Sequence, residues 1–124
     1  MVRVSERPLK ELARAIFKAA GASDNEAETV STILVATSLH GVDSHGVRLI
    51  PYYVDSIKKG SLKTNAQITV LRETETTAML DDGGGFGFVA GERAMKMAID
   101  KARKWKIGSV GLKGPGHIGA LYYY

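Results

Sequence analysis

One short segment gathers four side chains that could act on a small organic acid. Asp43, Ser44, His45 and Arg48 fall within six positions, with glycine on both sides of the histidine turn. An imidazole near its ordinary pKa exchanges a proton near neutral pH. A guanidinium offers a planar fork of donors that matches a carboxylate. The segment therefore has the groups needed to hold a small acid and to move a proton on it.

The same residues also fit purely structural roles. Asp43 or Ser44 could cap a following helix, because short oxygen-bearing side chains accept hydrogen bonds from free N–H groups there. His45 could be a core histidine with its partners satisfied, and Arg48 a solvated helix residue. Spacing alone leaves both interpretations open.

A second histidine, His117, lies on a glycine-rich loop that runs from Lys113 to Gly119. Loops flanked by glycine suit sites where the main chain approaches a ligand. Hydride transfer from a 2-hydroxy acid needs a cation for the carboxylate, a group that exchanges the hydroxyl proton, and a nicotinamide cofactor. Arg48 fits the first role and a histidine the second. The residues do not decide between His45 and His117.

Two further patterns in the sequence are not favoured as functional sites. His40, Asp43 and His45, joined by His117, could supply a metal site, but their convergence on one point has no support in the sequence, and we expect no metal. Residues 85–90 match the glycine spacing of a dinucleotide-binding turn. No acidic residue follows at the expected distance, and bulky phenylalanines flank its second glycine. We therefore interpret residues 85–90 as turn chemistry.

Composition bounds the class of protein. The chain has 124 residues, enough for one ordinary domain, with 44% hydrophobic and 24% charged residues. Its net charge of +4 is scattered, which argues against a nucleic-acid partner, and no apolar run predicts a membrane span. It has no cysteine, and asparagine and glutamine are scarce. We expect a cytoplasmic protein, with a weak indication of a thermophilic source.

Hydrophobic periodicity predicts an α+β fold in which amino-terminal helices precede a β-β-α-β unit. Ser23 and Glu26 form a predicted capping box at the start of the second helix. The predicted helices are 8–20, 23–40, 48–58 and 86–104, and the predicted strands are 66–72, 76–80 and 107–112.

The segment from Gly41 to Val47, followed by Arg48, Pro51 and Tyr52, resembles the signature of the malate/L-lactate dehydrogenase family, which includes sulfolactate, ureidoglycolate and diketogulonate dehydrogenases. The resemblance continues through residues 80–87 and ends in Gly116–Ala120, so it covers nearly the whole chain. It implies a non-Rossmann oxidoreductase that transfers a hydride between NAD or NADP and a small 2-hydroxy or 2-oxo acid. It also implies a homodimer with its site between two domains.

The resemblance assigns roles residue by residue. His45 is a proton donor assisted by Ser44, and His117 is the acid/base in an alternative account. Arg48 is expected to hold the substrate carboxylate. His117 and Gly119 are expected to contact the cofactor.

Family members are more than twice this long, so we expect an amino-terminal portion of the larger fold. Residues 1–60 would form a helical substrate and dimerisation segment, and residues 61–124 the incomplete start of an α/β cofactor-binding domain. Such a portion would be a poor enzyme alone, and a separate carboxy-terminal chain could complement it. The alternative is a truncated, non-catalytic scaffold or interaction domain derived from the family.

Overall fold

Helices make up the first half of the protein, whose computed structural model describes residues 3–124. Helix α1 spans Glu6–Ala19, α2 spans Asp24–Leu39, and α3 spans Ile50–Lys58. Two short 3-10 helices, Asp43–His45 and Val47–Leu49, connect α2 to α3. None of the helices within residues 3–124 combines the length and the apolarity that crossing a membrane requires.

A small mixed sheet and one long helix form the second half. Strand β1 spans Thr69–Glu73, β2 spans Thr77–Asp81, α4 spans Gly87–Trp105, and β3 spans Ser109–Lys113. Strand β1 pairs antiparallel with β2, and β3 pairs parallel with β2 after the crossover through α4. This order confirms the predicted α+β fold with a β-β-α-β unit.

The core lies between the helices and the start of α4. Phe17 of α1 meets Phe86 edge-on, with ring centroids 5.9 Å apart, and Phe88 is fully buried. Phe86 and Phe88 lie beside the glycine-rich turn. The segment that resembles a nucleotide-binding turn therefore places core aromatic rings at the start of α4. The fully buried aliphatic residues of α2 complete this core: Val30, Ile33 and Leu34.

The predicted capping box is present at the start of α2. The Glu26 backbone N–H donates to the Ser23 hydroxyl at 3.2 Å, and the Ser23 backbone N–H donates to the Glu26 carboxylate at 2.9 Å. The other carboxylate oxygen of Glu26 accepts from the Asn65 backbone N–H at 2.7 Å. This buried carboxylate therefore also joins α2 to the segment before the sheet.

Every predicted boundary except the start of β1 lies within two residues of the observed one. Strand β1 begins at Thr69 rather than Ala66, because Asn65 adopts a left-handed conformation (φ 58°) and residue 67 packs its carbonyl against Gly83 instead of pairing. Helix α3 begins at Ile50 rather than Arg48, which belongs to the preceding 3-10 helix. Pro51 lies in the first turn of α3, where its missing N–H costs nothing.

Candidate functional site

His45 is held by groups close to it in the sequence. Its Nδ1 shares a 2.7 Å hydrogen bond with the Ser44 hydroxyl, and its backbone N–H donates to the Val42 carbonyl at 3.0 Å. The Ser38 hydroxyl of α2 accepts from the Val47 N–H at 3.0 Å. A Cβ on Gly46 would lie 2.1 Å from that hydroxyl, so the turn needs glycine to sit this close to α2. His45 is half-buried, and its Nδ1 is engaged.

His117 is held by a residue far away in the sequence. Its Nδ1 shares a hydrogen bond with the hydroxyl of Tyr53, which lies on α3 and is buried. The edge of Phe88 meets the imidazole with ring centroids 5.9 Å apart. A Cβ on Gly87 would lie 2.6 Å from the His117 carbonyl, so the first residue of α4 touches the loop backbone directly.

The structure brings the two histidines together. Their ring centroids are 5.0 Å apart, although the two residues are 72 positions apart in the sequence. Partial burial, and then the neighbouring His45, lower the pKa of His117 below its ordinary value. The neutral form of His117 is therefore favoured near neutral pH, which suits a group that accepts a proton.

Arg48 lies on the 3-10 helix that follows the His45 turn, and its side chain is exposed. It forms no hydrogen bond or ion pair with the side chains in residues 3–124. Its guanidinium is thus available to an anion. Its role in binding a carboxylate stays a prediction.

The loop glycines divide into two kinds. Cβ atoms on Gly114 or Gly116 would meet no atom within 4 Å, so the backbone there is open to an approaching group. Gly119 has a φ of +80°, and a Cβ there would lie 2.5 Å from Phe88. Gly119 is therefore explained by packing against the core. Its predicted contact with a cofactor stays a prediction, and the open backbone lies nearer Gly116.

A cavity of about 160 Å³ borders His117. Its walls come from α3, the turn after α3, the first residues of α4, and Gly116. A volume of about 150 Å³ is enough to hold a small molecule such as benzene. Tyr53 and His117 line this cavity, but His45 and Arg48 do not. The cavity therefore includes the His117 side of the predicted site but not the His45 segment.

A larger depression, about 690 Å³, lies away from the histidines, between the β1–β2 hairpin and α4. One of its charged groups, Lys101, is paired with Glu73 at 2.8 Å and with the Thr74 carbonyl at 2.7 Å. We do not favour this depression as the functional site, although it is larger, because its lining mixes both signs of charge.

The weaker metal interpretation finds no geometric support within residues 3–124, where no three histidine, aspartate or glutamate side chains gather as ligands. The Nδ1–H of His40, the C-cap residue of α2, donates to the Ala36 carbonyl at 2.9 Å, so this nitrogen carries the proton. Its ring lies against Tyr122, with centroids 4.2 Å apart.

Comparison with known proteins settles the family. The sequence profile of a family described as Malate/L-lactate dehydrogenase matches residues 4–124. The chain belongs to this family. The resemblance drawn from the Asp-Ser-His-Gly segment and the His117 loop is thereby confirmed.

Individual relatives agree with this placement. The chain is 37% identical over 123 residues to the malate dehydrogenase of Pyrococcus abyssi and 33% identical over 123 residues to the L-sulfolactate dehydrogenase of Methanothermobacter thermautotrophicus. These matches cover 99% of this chain but 34% and 36% of those proteins. The chain thus spans about a third of the length of the curated relatives it matches.

The solved structure of malate dehydrogenase from Pyrococcus horikoshii superposes on this chain with a TM-score of 0.97 at 36% identity. It covers 99% of this chain and 35% of the malate dehydrogenase chain. The family fold in this region is therefore the one described above, and its relatives are oxidoreductases by name.

Sequence reasoning missed Tyr53, which directly follows Tyr52, the last residue of the family signature segment. Nothing in its neighbourhood marks it, because it follows a proline in an amphipathic helix and its partner is 64 positions away. Ser38 was also missed for the same reason, since its hydroxyl binds a backbone N–H nine positions on. Both act through contacts that only the fold creates.

Proposed function

We propose that this chain supplies the acid/base and carboxylate-binding groups of an NAD(P)-dependent dehydrogenase acting on a small 2-hydroxy or 2-oxo acid. The carrying observation is the histidine pair, whose rings lie 5.0 Å apart with each Nδ1 already engaged. Both Nε2 atoms are thus the nitrogens left to meet a ligand. The family relationship to malate and sulfolactate dehydrogenases supports this choice of reaction.

Within this proposal, His117 is the acid/base. Its lowered pKa keeps it neutral near pH 7, so its Nε2 accepts the hydroxyl proton when the hydroxy acid is oxidised and returns it in the reverse direction. His45, with Ser44 on its Nδ1, lies close enough to hydrogen-bond to the same substrate oxygen. Arg48 binds the carboxylate through its planar fork.

The nicotinamide, when bound, supplies the hydride acceptor or donor. In this chain, the backbone at Gly114 and Gly116 is open enough for a planar group to approach. At Gly119, the ring of Phe88 occupies the space beside the backbone. The division into a substrate-binding segment (1–60) and the start of a cofactor-binding segment (61–124) belongs to the same proposal. So do a homodimer and a cytoplasmic location.

A chimaera tests this function directly. The chain replaces the matching amino-terminal third of the Pyrococcus horikoshii malate dehydrogenase, to which it is 36% identical. We expect oxidation of malate or another 2-hydroxy acid with NAD or NADP. Replacing His117 by Gln should lower kcat/KM by about a hundred- to ten-thousandfold, which is typical of a lost general base.

Arg48 gives the second arm of this test. Arg48→Ala should raise KM strongly, and Arg48→Lys should restore binding only in part because the fork is lost. Arg72→Ala, which removes an exposed arginine from β1, is the matched control and should leave KM unchanged. A folded chimaera that turns over no 2-hydroxy acid, or whose activity survives the loss of His117 and Arg48, would contradict the proposal. The scaffold alternative would then stand.

A further inference from the structure

Tyr53 is the only residue of α3 whose hydroxyl contacts a histidine among residues 3–124, and its surroundings fix its position. Its ring meets Phe88 at a centroid distance of 5.4 Å and Phe17 at 6.4 Å, and its side chain is 4% exposed. Close packing against these two rings restricts the rotamers of the side chain. The hydroxyl is therefore a fixed point at the wall of the cavity beside His117.

The backbone of the His117 loop lies against Gly87, but the His117 side chain, unlike that of Tyr53, is not enclosed by the core. Gly114 and Gly119 adopt positive φ angles of 66° and 80°, and His117 itself is exposed. A half-turn of an imidazole about its Cβ–Cγ bond exchanges the positions of Nδ1 and Cδ2, and of Nε2 and Cε1, so a ring without a fixed partner does not present one nitrogen consistently. Its nitrogens can serve acid/base chemistry only when one is held and the other meets the ligand.

We propose that Tyr53 is a positioning residue for His117: its hydroxyl occupies Nδ1 and thereby confines proton exchange with a bound hydroxy acid to Nε2. The shared hydrogen bond and the aromatic cage around Tyr53 carry this inference. It rests on the proposed acid/base role of His117. For Nε2 to accept the substrate proton, Nδ1 must carry the ring hydrogen and donate it to the Tyr53 hydroxyl oxygen, which a phenol can accept.

Tyr53 itself does not gain or lose a proton in the proposed reaction. Burial, and then the neighbouring Tyr52 and Tyr124, raise the pKa of Tyr53 well above its ordinary range, so it stays a phenol wherever the protein is folded. The titratable group that faces His117 from the 3-10 helix at Asp43–His45 is His45, and the side chain that faces it from α4 is the neutral Phe88. Proton exchange in this cluster is thus left to the imidazoles.

The ring nitrogens of His117 report this bond without any ligand. In the chain labelled with 15N-histidine at about pH 8, where imidazoles are neutral, we expect well-separated Nδ1 and Nε2 shifts for His117, as one dominant tautomer requires. Tyr53→Phe keeps the ring in the core and removes only the hydroxyl. It should bring the two shifts closer together, because both tautomers then interconvert.

Tyr52→Phe is the matched control, since Tyr52 precedes Tyr53 on α3 and its side chain is 61% exposed. It should leave the His117 shifts where they are. Unchanged His117 shifts in Tyr53→Phe would overturn the inference. So would an equal mixture of tautomers in the unsubstituted chain, a result that needs no variant to fold.

The measurement separates this inference from the proposed function. It uses neither nicotinamide nor acid, so a tautomer held by Tyr53 in a protein without turnover overturns the proposed function alone. If turnover depends on His117 but the 15N shifts of His117 are unchanged in Tyr53→Phe, only the positioning role is overturned.

Discussion

The two segments that carry the histidines are held in opposite ways. The His45 turn is fixed by near neighbours: Ser44 on its ring, Val42 on its backbone, and Ser38 nine positions before Val47. The His117 loop is fixed by distant elements, with Tyr53 on its ring and Gly87 of α4 against its carbonyl. One histidine is placed by local sequence and the other by the finished fold.

This difference predicts how each histidine responds to damage. A change near His45 should act locally, because the turn keeps most of its own hydrogen bonds. A change in the packing beneath the His117 loop should be felt in the core, since Phe88 contacts both Gly119 and the imidazole. Substitutions on the His117 side of the site should therefore lower the free energy of unfolding more than substitutions on the His45 side.

The largest expected effect follows from Gly119→Ala. The new Cβ would face Phe88 at 2.5 Å and Ile33 at 3.3 Å, at a φ of +80° that L-residues resist. We expect the free energy of unfolding to fall by about 2–5 kcal/mol, the sum of overpacking and left-handed strain. Urea denaturation followed by circular dichroism measures it.

Gly116→Ala, in the same loop, is the control for Gly119→Ala. Its Cβ meets nothing within 4 Å, so the free energy of unfolding should be unchanged or rise by less than about 1 kcal/mol. Equal losses in the two variants would show that the loop does not depend on the core, and the contrast between the two segments would fail.

The same contrast explains what the sequence could predict. The helices, the capping box of Ser23 and Glu26, and the chemistry of the His45 segment follow from patterns shorter than one helix. The start of β1 was misplaced because Asn65 turns left-handed, a choice that its contact with Glu26 stabilises from 39 positions away.

The site shows the same limit. Ser44 beside His45 is readable because the two are adjacent, whereas Tyr53 beside His117 is not. Periodicity marks Tyr53 only as a residue on a half-apolar helix. A hydroxyl aimed at a loop 64 positions away leaves no trace in local spacing.

A middle-sized effect is expected from Ser38→Ala, which tests a side-chain hydrogen bond that ties the His45 turn to α2. Its hydroxyl accepts from the Val47 N–H at 3.0 Å, so removing it should cost about 1 kcal/mol of unfolding free energy. Ser44→Ala removes an exposed hydroxyl that contacts only its neighbouring ring, and should cost less than about 0.5 kcal/mol. A larger loss in Ser44→Ala than in Ser38→Ala would mean that the ring, and not α2, holds the turn.

The smallest effect is electrostatic and tests whether the two segments communicate. Burial is the larger cause of the lowered pKa of His117, and His45 is the smaller one. His45→Gln should therefore raise the pKa of His117 without restoring its ordinary value. An NMR titration of the His117 ring measures it, and His40→Gln, which removes the ring that lies against Tyr122, serves as the control.

The sign of the linked stability follows from the same titration. Since the folded pKa of His117 is below the unfolded value of about 6.5, the unfolded chain binds more protons as pH falls through that window. The contribution of His117 is therefore fully present above about pH 6.5 and is lost as pH falls to the folded pKa. Because His45→Gln raises the folded pKa of His117, it should narrow the pH range between the folded and unfolded pKa values from its lower end. A His117 pKa that ignores position 45 would mean that the 5.0 Å between the rings carries no coupling, and that the two segments meet only through a ligand.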